Sequence, residues 1–238
     1  GFIARHKDPR ILAELCQALV RQAREWDLIL LSQFPQEDPA TQMILKAFNS
    51  LGLFHYATTE RHLYLPTAEI SGSFKDGAKA WEGYLEKLPG RFRRDVRKMI
   101  RRAERQGELK FVRYTGQEVT PEHLSAVYAI NALGRYPELY QSQEERAFQS
   151  ALLEKTCGLG WPNLSLLYLN NQPVAFLYGF LFQQRFEAWR TGFDTAYFEL
   201  AVGKIVLMRM LEDCFLHQYQ EVDFLRGDEW YKNRLQVS

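Results

Sequence analysis

Residues 164–193 read LSLLYLNNQPVAFLYGFLFQQRFEAWRTGF, and this stretch decides the fold. Its apolar and aromatic runs are separated by two short polar stretches, residues 170–172 and 183–184. Runs of this length joined by so few polar residues are typical of antiparallel strands connected by tight turns. The sequence therefore predicts a three-stranded antiparallel meander with strands at 164–169, 173–182 and 185–193.

The segments around this meander indicate the rest of the architecture. An apolar helix is predicted at 200–219 and a short strand at 222–225. A meander that leads into a helix and returns to a strand can form an open mixed sheet with a cleft where neighbouring strands part. We expect an α/β (α+β) fold with a mixed, mostly antiparallel sheet flanked by helices, its remaining elements being a strand at 109–114 and helices at 78–88, 91–106, 121–133 and 144–156.

The first 77 residues predict a smaller α/β unit. Helical spacing of apolar residues is found at 11–24, and Pro39 opens a second helix that Gly52 closes. A short apolar run indicates a buried strand at 27–31. Two further strands are predicted at 54–58 and 62–65, followed by a polar loop at 70–77.

Composition sets outer limits on function. The chain has 238 residues, a formal net charge of +1 and 46% hydrophobic residues, so it can form a sizeable core but has no global attraction for nucleic acid or anionic lipid. Its three cysteines are far apart and show no metal-binding spacing. No apolar run approaches the roughly 20 residues that cross a bilayer. We expect a cytoplasmic protein with reduced thiols, no membrane span and no metal.

The junction between the third meander strand and the following helix is a candidate phosphate site. Ala201 and Gly203 are small enough to let a ligand approach the backbone, and Lys204 adds a positive charge in the first helical turn. A helix start also offers unpaired N–H donors to an anion. The alternative is that a glycine near a helix start is ordinary and that Lys204 is a solvated surface charge.

The end of the chain places ionisable groups beside two aromatic residues. After the strand at 222–225 come Arg226, Gly227 and Asp228, then Trp230 and Tyr231. Such a cluster is typical of a site, but ion pairs around a turn would produce the same sequence.

The predicted helix at 91–106 is strongly basic. Apolar residues on one side would dock it on a core, while the opposite side can bind polyanions. Three interpretations are open: a contact for a substrate or diphosphate-sugar, a solvated face, and nucleic-acid binding; the family resemblance given below implies that order. The basic residues are Arg91, Arg93, Arg94, Arg97, Lys98, Arg101, Arg102 and Arg105.

Several segments together resemble the BioF2-like/CelD-type acetyltransferases of the GNAT superfamily, which are related to the Fem peptidoglycan aminoacyltransferases. The resemblance covers most of the chain from about Trp26. It implies two tandem GNAT-like halves: an incomplete N-terminal half at 1–88, a basic connecting helix at 89–107 and a C-terminal GNAT-like acyltransferase domain at 108–238. The segments are 88–98, 168–178, 191–194, 202–204 and 223–232.

The resemblance also implies roles for individual residues. The diphosphate of acetyl-CoA or another acyl-CoA would lie at Leu200, Ala201, Val202, Gly203 and Lys204, with the donor against Val174 and Phe176 of the meander. Val202 stands where the family commonly has a proline, and Leu235 stands where a tryptophan is usual. The catalytic candidates are Lys232 as the group that stabilises developing charge, Asp223 or Asp228 as the base, and Tyr231. The substrate-binding candidates are Arg94, Lys98, Arg135, Tyr136, Trp189, Arg190 and Arg226.

Acyl transfer to an amine or hydroxyl needs a path for the nucleophile's proton and donors aimed at the oxyanion. Backbone N–H groups of residues 173–178, together with Lys232, are predicted as those donors. The expected activity is acyl transfer, acetyl or longer, from acyl-CoA to a small-molecule or saccharide acceptor of a cell-envelope or exopolysaccharide precursor. The alternatives are a Fem-like transferase that takes its aminoacyl group from tRNA, and a degenerate GNAT-like module that binds without catalysis.

Overall fold

The structure is a computed structural model. It describes residues 9–22, 24–31, 38–58, 62–72, 74, 76–138, 142–226 and 232–235. The packing divides the chain into two compact units, Gly1–Glu60 and Arg61–Ser238. The second unit contains the sheet.

The first unit is built on two helices, α1 (Pro9–Arg21) and α2 (Pro39–Ser50). Asp38 caps α2 by accepting a hydrogen bond from the Ala40 N–H at 2.8 Å. The buried core of this unit consists of Leu12, Cys16, Ile44 and Phe48.

Two predicted strands of this unit are wrong. Residues 27–31 and 54–58 have no regular secondary structure, and Leu30 and Phe54 are 85% and 95% exposed. Their apolar runs suggested burial, but a strand also needs a neighbouring strand to accept its backbone hydrogen bonds. No strand pairs with these residues in the described part of the chain.

The second unit follows the predicted order of helices and strands closely. Short 3₁₀ helices lie at Gly116–Glu118, Cys157–Leu159, Thr195–Leu200 and Lys232–Leu235. The main elements are β1 (His62–Leu65), α3 (Thr67–Ser71), α4 (Gly77–Lys87), α5 (Gly90–Glu104), β2 (Leu109–Thr115), α6 (Pro121–Ala132), α7 (Gln143–Thr156), β3 (Pro162–Leu169), β4 (Gln172–Phe182), β5 (Arg185–Phe193), α8 (Val202–Leu216) and β6 (Glu221–Arg226).

The predicted meander is confirmed as β3, β4 and β5. Both of its turns have two consecutive residues with positive φ: 51° and 63° at Asn170 and Asn171, and 49° and 64° at Gln183 and Gln184. This is the backbone of a type I′ turn, whose twist matches that of the flanking strands. Asn170 also fastens the first turn by accepting a hydrogen bond from the Glu108 N–H at 2.9 Å.

The six-stranded sheet of the described residues has the order β1-β6-β5-β4-β3-β2 and is antiparallel except between β5 and β6. One face packs against α4, α5 and α8, and the other packs against α6 and α7. A mixed, mostly antiparallel sheet flanked by helices is therefore confirmed. The interpretation of residues 1–88 as an incomplete GNAT-like half remains a prediction.

Candidate active site

Strands β5 and β6 run side by side for only part of their length. Their parallel pairing joins Arg185 to Glu221, Phe186 to Val222 and Glu187 to Asp223, and then stops. Strand β5 continues to Phe193. Beyond Glu187, no strand among the described residues pairs with its edge on the β6 side. The parting of neighbouring strands agrees with the order of elements, while a ligand cleft at this place remains a prediction.

A β-bulge lies at the point where the strands part. Tyr178 of β4 pairs with Arg190 and Gly179 pairs with Ala188, which leaves Trp189 as an extra residue in β5. Bulges bend a strand, increase its twist and are over-represented next to active sites. The bulge thus gives a physical reason for β5 to leave β6 at this position.

A turn at Ala201 opens α8 beside the end of β5. Asp194 accepts a hydrogen bond from the Ala196 N–H at 2.9 Å and so starts the 3₁₀ segment Thr195–Leu200. Ala201 then adopts left-handed backbone angles, φ 57° and ψ 37°. Its carbonyl accepts the N–H groups of Lys204 at 2.9 Å and Ile205 at 3.1 Å. The earlier amides of the helix have no acceptor inside the helix itself.

The first turn of α8 suits an anion such as a diphosphate. It carries no acidic residue, and Lys204 is exposed there. The free amides and the helix dipole both favour negative charge at this end. Among the described residues no group of His, Cys, Asp and Glu side chains could hold a metal ion.

The small size of Gly203 has a packing explanation as well. A Cβ atom at this position would lie 2.8 Å from Cδ1 of Phe193, the last residue of β5. The glycine therefore allows the helix to approach the strand closely, while Val202 beside it is fully buried. Close approach of a ligand is not needed to account for Gly203, so the anion site depends on the amides and on Lys204.

The predicted contacts in β4 lie in the protein core. Val174 and Phe176 are each 1% exposed and belong to the cores on opposite faces of the sheet. β4 is an interior strand that pairs with β3 and β5 along most of its length. Its N–H groups are therefore used by the sheet, and the free edge of β5 beyond Glu187 is the better source of oxyanion donors. The sequence could have indicated this edge, because the strand predicted at 222–225 is shorter than the strand predicted at 185–193.

Asp223 is buried at the end of the β5–β6 pairing. It is 4% exposed, and its carboxylate accepts a hydrogen bond from the Leu225 N–H at 2.7 Å. Leu225 has a positive φ of 55°, an unfavourable conformation for a branched residue within a strand. The carboxylate therefore holds a strained turn in β6. Its role as a base remains a prediction.

The other catalytic candidates lie in the last segment. Asp228 and Tyr231 fall outside the described residues, and for Lys232 and Arg226 only the backbone is described. The 3₁₀ turn Lys232–Leu235 is anchored by Leu235, which is 1% exposed and accepts a hydrogen bond from the Tyr84 hydroxyl at 2.9 Å. Leu235 is thus a core residue.

A small cavity of about 60 Å³ connects this turn with α8. Leu235 and Arg234 line it together with Lys204 and Leu207 of α8, and Phe92 of α5 also contributes. The backbone that carries Lys232 therefore lies near the predicted anion site.

The substrate-binding candidates are divided between the two faces of the sheet. Arg94 and Lys98 are exposed on α5, whose apolar side packs in the core shared with α8. Trp189 packs in the core on the α6–α7 face. Arg190 lies 5.1 Å from the centre of the Trp189 ring, and its Nη2 is 3.3 Å from Oε1 of Glu145.

The loop after α6 meets the segment that follows β5. The Leu133 carbonyl accepts hydrogen bonds from both N–H (3.1 Å) and Oγ1 (2.8 Å) of Thr195. Asn131 donates from Nδ2 to the Tyr136 carbonyl at 3.0 Å. Arg135 and Tyr136 are exposed, with the guanidinium 5.6 Å from the ring centre. Trp189 packs on the α6–α7 face of the sheet, whereas α5, which carries Arg94 and Lys98, packs on the other face.

Residues outside this arrangement have structural roles. His123 accepts a hydrogen bond from the Thr120 N–H at 3.1 Å and caps α6. Cys214 is 2% exposed, and burial raises the pKa of its thiol well above the ordinary value. Cys214 is therefore a core residue. Sequence reasoning missed Phe198, an aromatic side chain that is 66% exposed just before the turn at Ala201.

Comparison with known families agrees with this geometry. The family model for the acetyltransferase (GNAT) domain matches residues 90–233, more than half of the chain. The chain belongs to the GNAT acetyltransferase domain family. The matched residues include β5, β6 and the start of α8.

Solved structures share the fold of this GNAT domain. FemX covers the whole chain with a TM-score of 0.61 at 10% identity, and 76% of FemX is covered in turn. L-PGS from Bacillus licheniformis covers 89% of the chain with a TM-score of 0.53 at 14% identity, and this chain spans 56% of its length. No curated protein matches the chain. No helix in the described ranges is long and apolar enough to cross a membrane.

Proposed function

We propose that this GNAT domain transfers an acyl group, acetyl in the simplest case, from acyl-CoA to an amine or hydroxyl of a sugar or cell-envelope precursor. The observation that carries the proposal is the parting of β5 and β6 beside the open first turn of α8. The cleft offers unpaired backbone groups, and the helix start offers free amides, so an extended ligand with a phosphate end has partners along its length.

The chain's own residues would divide the work as follows. The first amides of α8 and Lys204 would bind the diphosphate, and the exposed ring of Phe198 would contact the nucleotide base. The free edge of β5 beyond Glu187 would hold the pantetheine arm and donate N–H groups to the oxyanion. Bound acyl-CoA supplies the activated thioester.

The acceptor would enter from the α6–α7 side, between the loop after α6 and the bulge of β5. Arg135, Tyr136, Trp189 and Arg190 are the proposed contacts. Lys232 would stabilise the charge that develops during transfer, and Asp223, Asp228 or Tyr231 would take the nucleophile's proton. We also propose that the chain is of the BioF2-like/CelD type and acts in polysaccharide synthesis.

Thermal unfolding with CoA and acetyl-CoA tests the donor. A ligand at 100 times its Kd stabilises the folded state by about 2.7 kcal/mol, which corresponds to a rise in Tm of roughly 5–10 °C for a protein of this size. The control is adenosine alone, which lacks the diphosphate and should shift the Tm much less. An unchanged Tm at millimolar acetyl-CoA would contradict the proposal.

A second candidate is the Fem-like use of an aminoacyl-tRNA donor. The observation that favours it is the likeness of fold to FemX along the whole chain, including the first unit. The two candidates are separated by a transfer assay with acetyl-CoA and with charged tRNA as the only donor. Turnover with charged tRNA alone would replace the first proposal, and inactivity with both would favour a binding module.

A further inference from the structure

Helix α5 carries a continuous stripe of cations. Arg91, Arg94, Lys98, Arg101 and Arg105 follow one another at spacings of three and four residues, which places them on one helical face. Arg97 and Arg102 flank the same face, and all seven side chains are exposed. At 1.5 Å per residue the stripe is about 21 Å long.

None of these seven cations has a carboxylate partner among the described residues. Within the part of the chain that the structure describes, no carboxylate forms a salt bridge with any of them. Exposed arginines on a helix commonly pair with acidic residues three or four positions away. Here Asp95 and Glu104 are the only acidic residues of the helix. The net charge of the whole chain is only +1, so positive charge is concentrated on this helix.

The opposite face of α5 fixes the helix in place. Val96 and Ala103 are buried in the main core, and Phe92, Met99 and Ile100 pack against it. The stripe is therefore held on a packed helix, so its backbone need not be ordered at the moment of binding.

We propose that α5 is a docking strip for the phosphodiester backbone of a nucleic-acid strand. Successive phosphates of an extended strand lie roughly 6–7 Å apart, about twice the 3.4 Å axial rise of a duplex strand, so the stripe spans about four phosphates. A single diphosphate would occupy only two or three of its positions, so the length points to a polymer. Arginine predominates over lysine in the stripe, and its planar fork matches phosphate in a bidentate geometry.

A membrane surface fits the same stripe less well. Helices that bind lipid at the interface insert apolar side chains between the headgroups. The apolar residues of α5 are used by the protein core, and no large hydrophobic side chain of this helix is exposed. The stripe is also confined to one helix, which suits a linear polyanion better than a plane.

The binding is through phosphates only, so it is independent of base sequence and equal for RNA and DNA. With about four phosphate contacts the slope of log Kobs against log salt is about −2.8 for a single strand. Affinity then falls about 50-fold between 50 and 200 mM NaCl.

The test uses fluorescence anisotropy of labelled 20-nucleotide RNA and DNA strands with the full chain. The variant Arg101→Gln/Arg105→Gln removes two charges from the stripe and should change the slope to about −1.4. The control Lys79→Gln/Lys155→Gln removes two exposed charges from α4 and α7 and should leave the slope unchanged. Circular dichroism melting verifies that both variants fold.

Three results would overturn the proposal. One is no binding of either strand at 50 mM NaCl, and another is equal loss of binding in the stripe variant and the control. The third is that the protein co-sediments with vesicles of 30% anionic lipid but binds neither RNA nor DNA. That result would assign α5 to a membrane. The CoA stabilisation assay is unaffected by each of these outcomes, so the acyltransferase proposal stands or falls separately.

Discussion

Substitution of Gly203 can separate packing from charge at the first turn of α8. A Cβ at this position lies 2.8 Å from Cδ1 of Phe193 and 3.4 Å from Cγ of the same ring, so any side chain forces the ring to move. Phe193 is half-buried and can shift. We therefore expect Gly203→Asn to cost about 1–1.5 kcal/mol of stability, the lower part of the range for overpacking.

Gly203→Asp shares this packing cost because aspartate has the shape of asparagine. Without ligand, the aspartate variant should be about 0.3–1 kcal/mol more stable than the asparagine variant, since a negative charge near a helix N-terminus is favourable. With a diphosphate bound, the same charge is repelled. Two unit charges about 4 Å apart near a protein surface interact by about 4 kcal/mol. Allowing for screening, CoA should bind the aspartate variant at least about tenfold more weakly, or about 1.4 kcal/mol.

Urea unfolding measures the stability of the two variants, and titration calorimetry measures their affinity for CoA. The reasoning requires opposite orders: aspartate above asparagine in stability, and below it in affinity. Equal CoA affinity of the two variants would show that no phosphate lies at this turn.

Four further outcomes are expected. Ala201→Gly should stabilise the protein by up to about 1 kcal/mol in urea unfolding because glycine adopts left-handed angles freely; destabilisation would contradict the observed φ. Lys232→Ala should keep CoA affinity but lose turnover, and a fully active variant would remove this lysine from the mechanism. Tyr178→Phe should leave stability in urea unfolding unchanged or raise it by about 1 kcal/mol, since the buried hydroxyl has no hydrogen-bond partner among the described residues. Burial also raises the pKa of Tyr178 to about 12. A loss of stability of more than about 1 kcal/mol would reveal a hydrogen-bond partner. Iodoacetamide at pH 8 should label the half-buried Cys157 in the folded protein but Cys214 only after unfolding, because burial raises the pKa of the Cys214 thiol; mass spectrometry showing early labelling of Cys214 would contradict its burial.

Local patterns were sufficient to predict most of the second unit. The two turns of the meander, at Asn170-Asn171 and Gln183-Gln184, could be predicted because a tight turn is formed by residues adjacent in the sequence. The short strands at 27–31 and 54–58 were wrong because strand formation depends on a partner that composition cannot show.

The candidate site was predicted only in part. Small residues and a lysine indicated where α8 begins, and the role of this helix start as an anion site remains a prediction. The prediction that β4 supplies the oxyanion donors agrees less well with the structure, in which β4 pairs on both sides. The sequence does not show which strands are interior to the sheet and which strands separate from a neighbour. The bulge at Trp189 arises from the pairing of β4 with β5 and is likewise invisible in the sequence.

A crystal structure of the protein with acetyl-CoA tests the central claim most directly. The account predicts the diphosphate within about 3 Å of the amides of Val202 or Gly203, and the pantetheine arm along the free edge of β5 beyond Glu187. A diphosphate bound away from the first turn of α8, or a cleft between β5 and β6 that stays empty at saturating acetyl-CoA, would contradict it.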